Sequence, residues 1–246
     1  MGRLLILVYA LICYVVFFAT FLYLIGFVEG NVVPRTINGP GPSGDLLPAV
    51  LIDLALIAVF GISHSVMARE GFKARWTKIV PRPAERSTYV LVASLALVLL
   101  FWQWRPVAGT VWQVEDDIAR MVLIGLSLAG WLAVLLATFM IDHFDLFGLR
   151  QAWLNFTGRP YTPPQFRETA FYKLVRHPIY FGFLIAFWAI PTMTVGHLVF
   201  AAGMTVYILI GVAYEEKDLM RWHGDAYAAY KRRVAGLIPG LKLGRR

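Results

Sequence analysis

Six ionisable residues fall at the ends of three apolar runs, at one level. His64, flanked by Ser63 and Ser65, lies near the end of one hydrophobic run. Asp142, His143 and Asp145 close another, and Arg176 and His177 open a third. Ionisable side chains at membrane depth are costly and are functional candidates by default. Histidine beside a carboxylate is the pairing that accepts and hands on a proton near neutral pH. These residues therefore read as the floor of a site at one membrane interface. Asp53 shares the face of His64, about three helical turns away, and reads more readily as a packing residue. His197 and His223 read as interface and surface residues.

A second group of residue types points at a ligand. Arg176 and His177 precede Pro178, a residue that fits the first turn of a helix because its missing N–H is not needed there. Anionic groups are favoured at such an N-terminus. Gly182 lets a ligand or a neighbouring helix come close. Glu215 and Glu216 can accept hydrogen bonds from ribose hydroxyls or an amino group. Tyr227 and Tyr230 are one turn apart and can wall an adenine. Together they suit a charged, adenosine-bearing ligand. Each piece alone is commonplace: a helix start, a solvated acidic pair, packing tyrosines. Their combination in this order is more specific. A metal site is not expected, because no two histidines are closer than His177 and His197. The lone Cys13 can form neither an intrachain disulfide nor a thiolate cluster.

The elements that must position these groups are membrane helices. Of 246 residues, 59% are hydrophobic and only 15% are charged. That excludes a soluble globular enzyme, a disordered regulator and a secreted disulfide scaffold. The expected fold is all-α and polytopic, with four transmembrane helices at about 4–28, 47–67, 87–104 and 118–141. A C-terminal helical hairpin follows over 178–214, interrupted at Pro191 to Gly196, and then a helical tail, making five to six hydrophobic segments. A Gly/Pro-rich loop, Asn31 to Pro48, carries turn chemistry. The expected division is 1–141 for the N-terminal helices and 142–246 for a ligand-binding catalytic region.

Lys and Arg distribution sets the expected orientation. Six cations lie between Arg69 and Arg86, five between Arg150 and Arg176, and eight from Lys217 onward, whereas Arg35 and Arg105 are alone in the other two connections. Both termini, the second loop and the fourth loop are thus expected in the cytoplasm, in a bacterial inner membrane. The net charge of +8 is explained by topology, lipid headgroups and an anionic ligand, without nucleic acid. No obligate protein partner is evident.

The order of motifs resembles the superfamily of isoprenylcysteine carboxyl methyltransferases and phospholipid methyltransferases, integral-membrane enzymes that use S-adenosyl-L-methionine. The pattern is Arg176-His177-Pro178-Ile179-Tyr180-Phe181-Gly182, a hairpin, Glu215-Glu216-Lys217-Asp218-Leu219, then Gly224-Asp225-Ala226-Tyr227-Ala228-Ala229-Tyr230. Upstream, Asp142 to Gln151 and Gly158 to Phe166 look like the bacterial methanethiol S-methyltransferases, which convert methanethiol to dimethyl sulfide. The resemblance implies cofactor contacts from Tyr172, His177, Pro178, Tyr180, Glu215 and Glu216. It also implies help from the backbone of Lys173, Leu174 and Val175, and a role for Arg176 at the methionyl carboxylate. Carboxyl methylators of the superfamily hold their substrate with an arginine about one turn before the acidic pair. Here that turn is Ile210-Gly211-Val212-Ala213, with no cation, which suits a small uncharged thiol.

Methyl transfer from a sulfonium is an in-line displacement, and the thiolate is the nucleophile. A base is therefore expected near the thiol: His143 first, oriented by Asp142 or Asp145, and His64 second. The rival readings are a lipid or prenylcysteine methyltransferase, an NADPH-dependent membrane reductase, which needs a site for extra phosphates, and a non-enzymatic accessory protein.

Overall fold

A computed structural model describes residues 2–30, 32–41, 45–164 and 168–241. Gln165 and Phe166 of the upstream motif lie outside the described residues. So do the cations Arg167, Lys242, Arg245 and Arg246, and Asn31 and Pro42 to Gly44 of the Gly/Pro loop.

Lipid cannot hydrogen-bond a backbone, so long apolar runs must close their amide bonds internally as helices. The elements are α1 (Arg3–Glu29), α2 (Leu46–Met67), α3 (Glu70–Trp76), α4 (Arg82–Gln103), β1 (Thr110–Gln113), α5 (Asp117–Ile141), α6 (His143–Leu146), α7 (Leu149–Phe156), a 3-10 turn (Ala170–Lys173), α8 (Pro178–Trp188), β2 (Thr192–Thr194) and α9 (Val195–Arg233). Five of them, α1, α2, α4, α5 and α9, are long and apolar enough to cross a membrane. Large apolar side chains cover their outer faces, such as Val15, 65% exposed, and Ile118, 69% exposed. The chain is an all-α polytopic integral membrane protein. Helix α4 starts five residues ahead of the expected span, with Pro83 in its first turn, because a charged turn extends the helix beyond the apolar run. Helix α8 has 11 residues, about 16 Å of rise against a hydrocarbon core of about 30 Å. It is the expected short arm. A strand pair, β1 with β2, joins the connection between α4 and α5 to the interruption at Pro191 to Gly196.

The chain divides into two compact units. The first is Met1–Gly109, Asp142–Gln165 and Thr194–Phe200; the second is Thr110–Ile141, Phe166–Met193 and Ala201–Arg246. In the first, α4 packs against α1 and α2, and α7 against α1 and α4. Ile6, Ala10, Ala84 and Ala152 form one buried cluster there, and the Tyr9 and Thr88 hydroxyls bond at 2.9 Å beside it. At the other end of α4, the Trp104 indole donates to the Ile37 carbonyl. Asp53, fully buried, accepts the Arg105 amide at 2.9 Å.

The second unit is organised on α5 and α8. A Cβ built on Gly130 or on Gly182 would stand 2.7 Å from the other's carbonyl oxygen, so the helices touch through backbone. Close approach through small residues is the usual membrane solution, since lipid supplies no hydrophobic drive between helices. Of the two uses the sequence left open for Gly182, the structure realises the helix contact. The Ser127 hydroxyl donates to the Ala186 carbonyl at 2.8 Å, and Trp131 meets Phe183 and Phe187 edge-on. Helix α8 reaches α9 through Trp188 Nε1 and Thr205 Oγ1 at 2.9 Å.

Candidate functional site

Glu216, on α9 in the second unit, is the centre of a polar hub. Its Oε1 accepts from Arg176 Nε at 2.6 Å, from His177 Nε2 at 3.0 Å and from the Tyr227 hydroxyl at 3.2 Å. Its Oε2 meets Lys231 Nζ at 2.6 Å. Four donors on one carboxylate favour its charged form. Glu215 stands 3.7 Å from His177 Nδ1 and is the more exposed of the acidic pair.

Local folding brings these groups together. Pro178 starts α8 as expected, with His177 as its N-cap residue and buried. Val175 pairs with Ala235 in a parallel bridge, and the Arg176 amide donates to the Ala235 carbonyl at 2.8 Å. The decisive element is a reversal inside α9. Gly224 has φ +50° and ψ −125°, a conformation that side chains with a Cβ rarely adopt. A straight helix would carry Lys231 about 22 Å beyond Glu216. With the break at Gly224, the two are in contact.

The other ligand candidates lie around this hub. The Tyr230 hydroxyl donates to the Tyr172 carbonyl at 2.6 Å, and Tyr227 and Tyr230 are buried against Leu219 and Val234. Burial, with Glu215 and Tyr230 adding to it, pushes the Tyr172 phenol up, so it remains a neutral hydroxyl. Lys173 and Leu174 are exposed. A Cβ on Gly211 would be 3.7 Å from the Tyr180 hydroxyl. The cation-free turn before the acidic pair is therefore faced by a phenol.

The proton-transfer candidates belong to the first unit. His143 is buried, and its Nε2 lies 2.8 Å from the Tyr14 hydroxyl. The rings of Tyr14, Phe144 and Phe147 meet it edge-on. Burial pulls the imidazole below its usual 6.5, against a smaller opposing pull from Asp142. Asp142 caps α6 by accepting the Asp145 amide at 3.1 Å. Asp145 accepts from Arg150 Nη1 at 2.8 Å and from the Tyr161 hydroxyl at 3.2 Å. Arg150 also faces Asp142 at 3.7 Å and donates to the Thr162 carbonyl at 2.8 Å. His64 Nε2 lies 2.6 Å from the Tyr89 hydroxyl. Arg86 stacks over the Tyr89 ring and donates to the Leu146 carbonyl at 2.7 Å.

Sequence reasoning did not single out Tyr14, Tyr89, Arg150 or Lys231. Tyr14 and Tyr89 are aromatic residues inside apolar spans, where nothing in the spacing marks them. Lys231 had a signal: it is one turn after Tyr227 and shares its face.

A helical membrane protein whose acidic pair is locked to an Arg-His-Pro helix start is the class that fold and hub define. The family model described as NnrU protein matches residues 52–239, and the chain belongs to that family. It is 54% identical to methanethiol S-methyltransferase 1 of Bradyrhizobium diazoefficiens over 94% of this chain and 81% of that protein. It is 50% identical to methanethiol S-methyltransferase of Mycobacterium tuberculosis over 97% of this chain and 98% of that protein. Nurim of Mus musculus is 27% identical over 71% of this chain and 69% of its own. No solved structure matches this chain.

Proposed function

We propose that the protein is an S-adenosyl-L-methionine-dependent thiol S-methyltransferase that converts methanethiol to dimethyl sulfide at the cytoplasmic side of the membrane. The observation that carries this is the set of relatives named methanethiol S-methyltransferase, 46% to 54% identical over 87% to 100% of the chain. In this proposal residues 142–246 carry the chemistry, and the bacterial inner membrane holds the chain with both termini cytoplasmic. The Lys and Arg distribution supports that orientation, and a reporter fused to the C-terminus reads it.

The donor set around Glu216 fits the methionyl end of such a methyl donor. A carboxylate pair suits its ammonium and ribose hydroxyls, and Arg176 suits its carboxylate. His177, Pro178, Tyr172, Tyr180, the backbone of Lys173 to Val175, and the Tyr227 and Tyr230 pair complete the binding surface. When bound, the group supplies a methyl carried on sulfur together with its own leaving group. The phenol of Tyr180 over Gly211, where a carboxylate-binding enzyme needs a cation, supports a small uncharged acceptor.

His143 accepts the thiol proton. Its imidazole, held below the usual value by burial and hydrogen-bonded to the Tyr14 hydroxyl, is the neutral base in this reading. A thiol of pKa near or above about 8.5 loses its proton to such a base only uphill, by at least about 2 pKa units. Deprotonation therefore accompanies methyl displacement rather than preceding it. Asp142, whose charge acts on His143, and Asp145 are the carboxylates assigned to orient the base, and Arg150 anchors both. His64 is the second candidate base.

The test is purified protein titrated with S-adenosyl-L-methionine, then supplied with methanethiol and assayed for dimethyl sulfide by gas chromatography. His143→Ala should lower kcat/KM by about 100-fold or more, and Asp145→Ala by less. No binding of the donor would sink the methyltransferase reading. Binding without dimethyl sulfide would move the assignment to a lipid methyltransferase.

A further inference from the structure

The two oxygens of Glu216 are held in different ways. Oε1 is enclosed by Arg176, His177 and Tyr227, with side-chain exposures of 11% for Arg176 and 2% for His177. Oε2 is covered by the Lys231 ammonium, whose side chain is 48% exposed. Three donors belong to the interior of the unit. The fourth, Lys231, reaches it on a long, half-solvated stem.

We propose that Lys231 is a tethered stand-in for the ammonium group of the methyl donor's amino-acid moiety, occupying Glu216 Oε2 until that moiety displaces it. The proposal rests on the donor reading above and deepens it. A lysine ammonium and an α-ammonium present the same charge and the same three donors to a carboxylate. The lysine side of this pair is half-exposed although the carboxylate is buried, so water can solvate the ammonium as it leaves, and of the four donors it is the one most easily exchanged. The Arg176–Glu216 pair remains as a matched cation and anion, suited to a ligand that itself carries a carboxylate and an ammonium. The backbone beyond Gly224 stays anchored by Tyr227 on Glu216, Tyr230 on Tyr172 and the Val175–Ala235 bridge, so only the half-exposed Lys231 side chain has to swing away. Lys231 is then a specificity-determining residue. It imposes a competition felt by ligands with an amino-acid end and by no others.

Two probes separate that competition from a general effect on the site. S-adenosylhomocysteine carries the ammonium and carboxylate without the sulfonium charge; 5′-methylthioadenosine carries the adenosine without the amino acid. Full-length protein in detergent is titrated calorimetrically with each, as wild type, Lys231→Gln and Lys231→Arg. Removing an internal competitor raises the binding-competent fraction, so Lys231→Gln should bind S-adenosylhomocysteine about three- to tenfold tighter. Its affinity for 5′-methylthioadenosine should stay within about twofold of wild type. Lys231→Arg should behave as wild type, and raising the salt concentration should narrow the difference for S-adenosylhomocysteine. Unchanged or weaker binding of S-adenosylhomocysteine by Lys231→Gln would overturn the proposal. Equal shifts for both ligands would do the same, since they mark a structural role. If wild type bound neither ligand, the donor reading itself would fall, and the latch with it.

Discussion

The contact between α5 and α8 can be tested by two identical substitutions with opposite expected signs. Gly182→Ala adds a Cβ that would stand 2.7 Å from the Gly130 carbonyl oxygen, 2.9 Å from Val134 Cγ2 and 3.0 Å from the Val134 amide nitrogen. Ordinary contact begins at 3.4 Å, so the methyl is about 0.7 Å too close to backbone that has no rotamer to change. The helices must separate, and overpacking of this kind costs about 1–3 kcal/mol. Alanine returns about 0.5–1 kcal/mol through its helix propensity. The net expectation is a loss of about 1–2 kcal/mol. Gly125→Ala, on the exposed side of α5, adds its methyl to open space with nothing within 4 Å. It should keep the propensity gain and stabilise by about 0.5–1 kcal/mol. Unfolding in mixed micelles titrated with SDS, followed by far-UV circular dichroism, measures both. Equal stability of the two variants would refute a backbone contact at Gly182. Because α8 begins at the His177–Pro178 turn, Gly182→Ala should also weaken donor binding, whereas Gly125→Ala should not.

The hub makes a second contrast. Glu216→Gln leaves the Arg176 guanidinium, whose side chain is only 11% exposed, without its counter-charge and should cost about 3 kcal/mol in the same titration. Lys231→Gln, removing a half-exposed partner, should cost less than about 1 kcal/mol. Equal losses would mean that the four donors are not ranked by burial. A third prediction concerns pH. The folded pKa of His143 lies below its unfolded value of about 6.5, so below that pH the unfolded chain binds more protons and stability falls. The unfolding midpoint of wild type should therefore drop between pH 7.5 and pH 5.5 more steeply than that of His143→Gln. A parallel pair of curves would place His143 in solvent.

Much of the architecture was legible in the sequence because lipid leaves few choices. An apolar run longer than about 20 residues must be a helix, and the five spanning elements follow from that. Pro178 marked the start of α8, and the interruption at Pro191 to Gly196 marked the break between the hairpin arms. The end of α4 was harder to place. Arg82 and Glu85 are charged, so an apolar window stops short of them, although the helix begins at Arg82. The Arg-His-Pro start and the acidic pair were also visible as motifs, since residue type and order survive without coordinates.

Partners distant in the chain were not visible. Tyr14 meets His143 across 129 positions, and no helical period or motif links them. That Gly182 meets α5 was not visible until the Gly130 backbone was found against it. Gly224 was one letter of a pattern until its positive φ showed that α9 reverses there. By itself the sequence determined which segments are helices in lipid, where the ionisable residues fall along them, and the order of the Arg-His-Pro start and the acidic pair. Only the tertiary structure decided who touches whom. Helix formation is a local consequence of desolvating amide groups, whereas the bonds from Tyr227 and Lys231 to Glu216 depend on one backbone reversal that folds the end of α9 back onto its own helix, and those from Arg176 and His177 come from another element altogether.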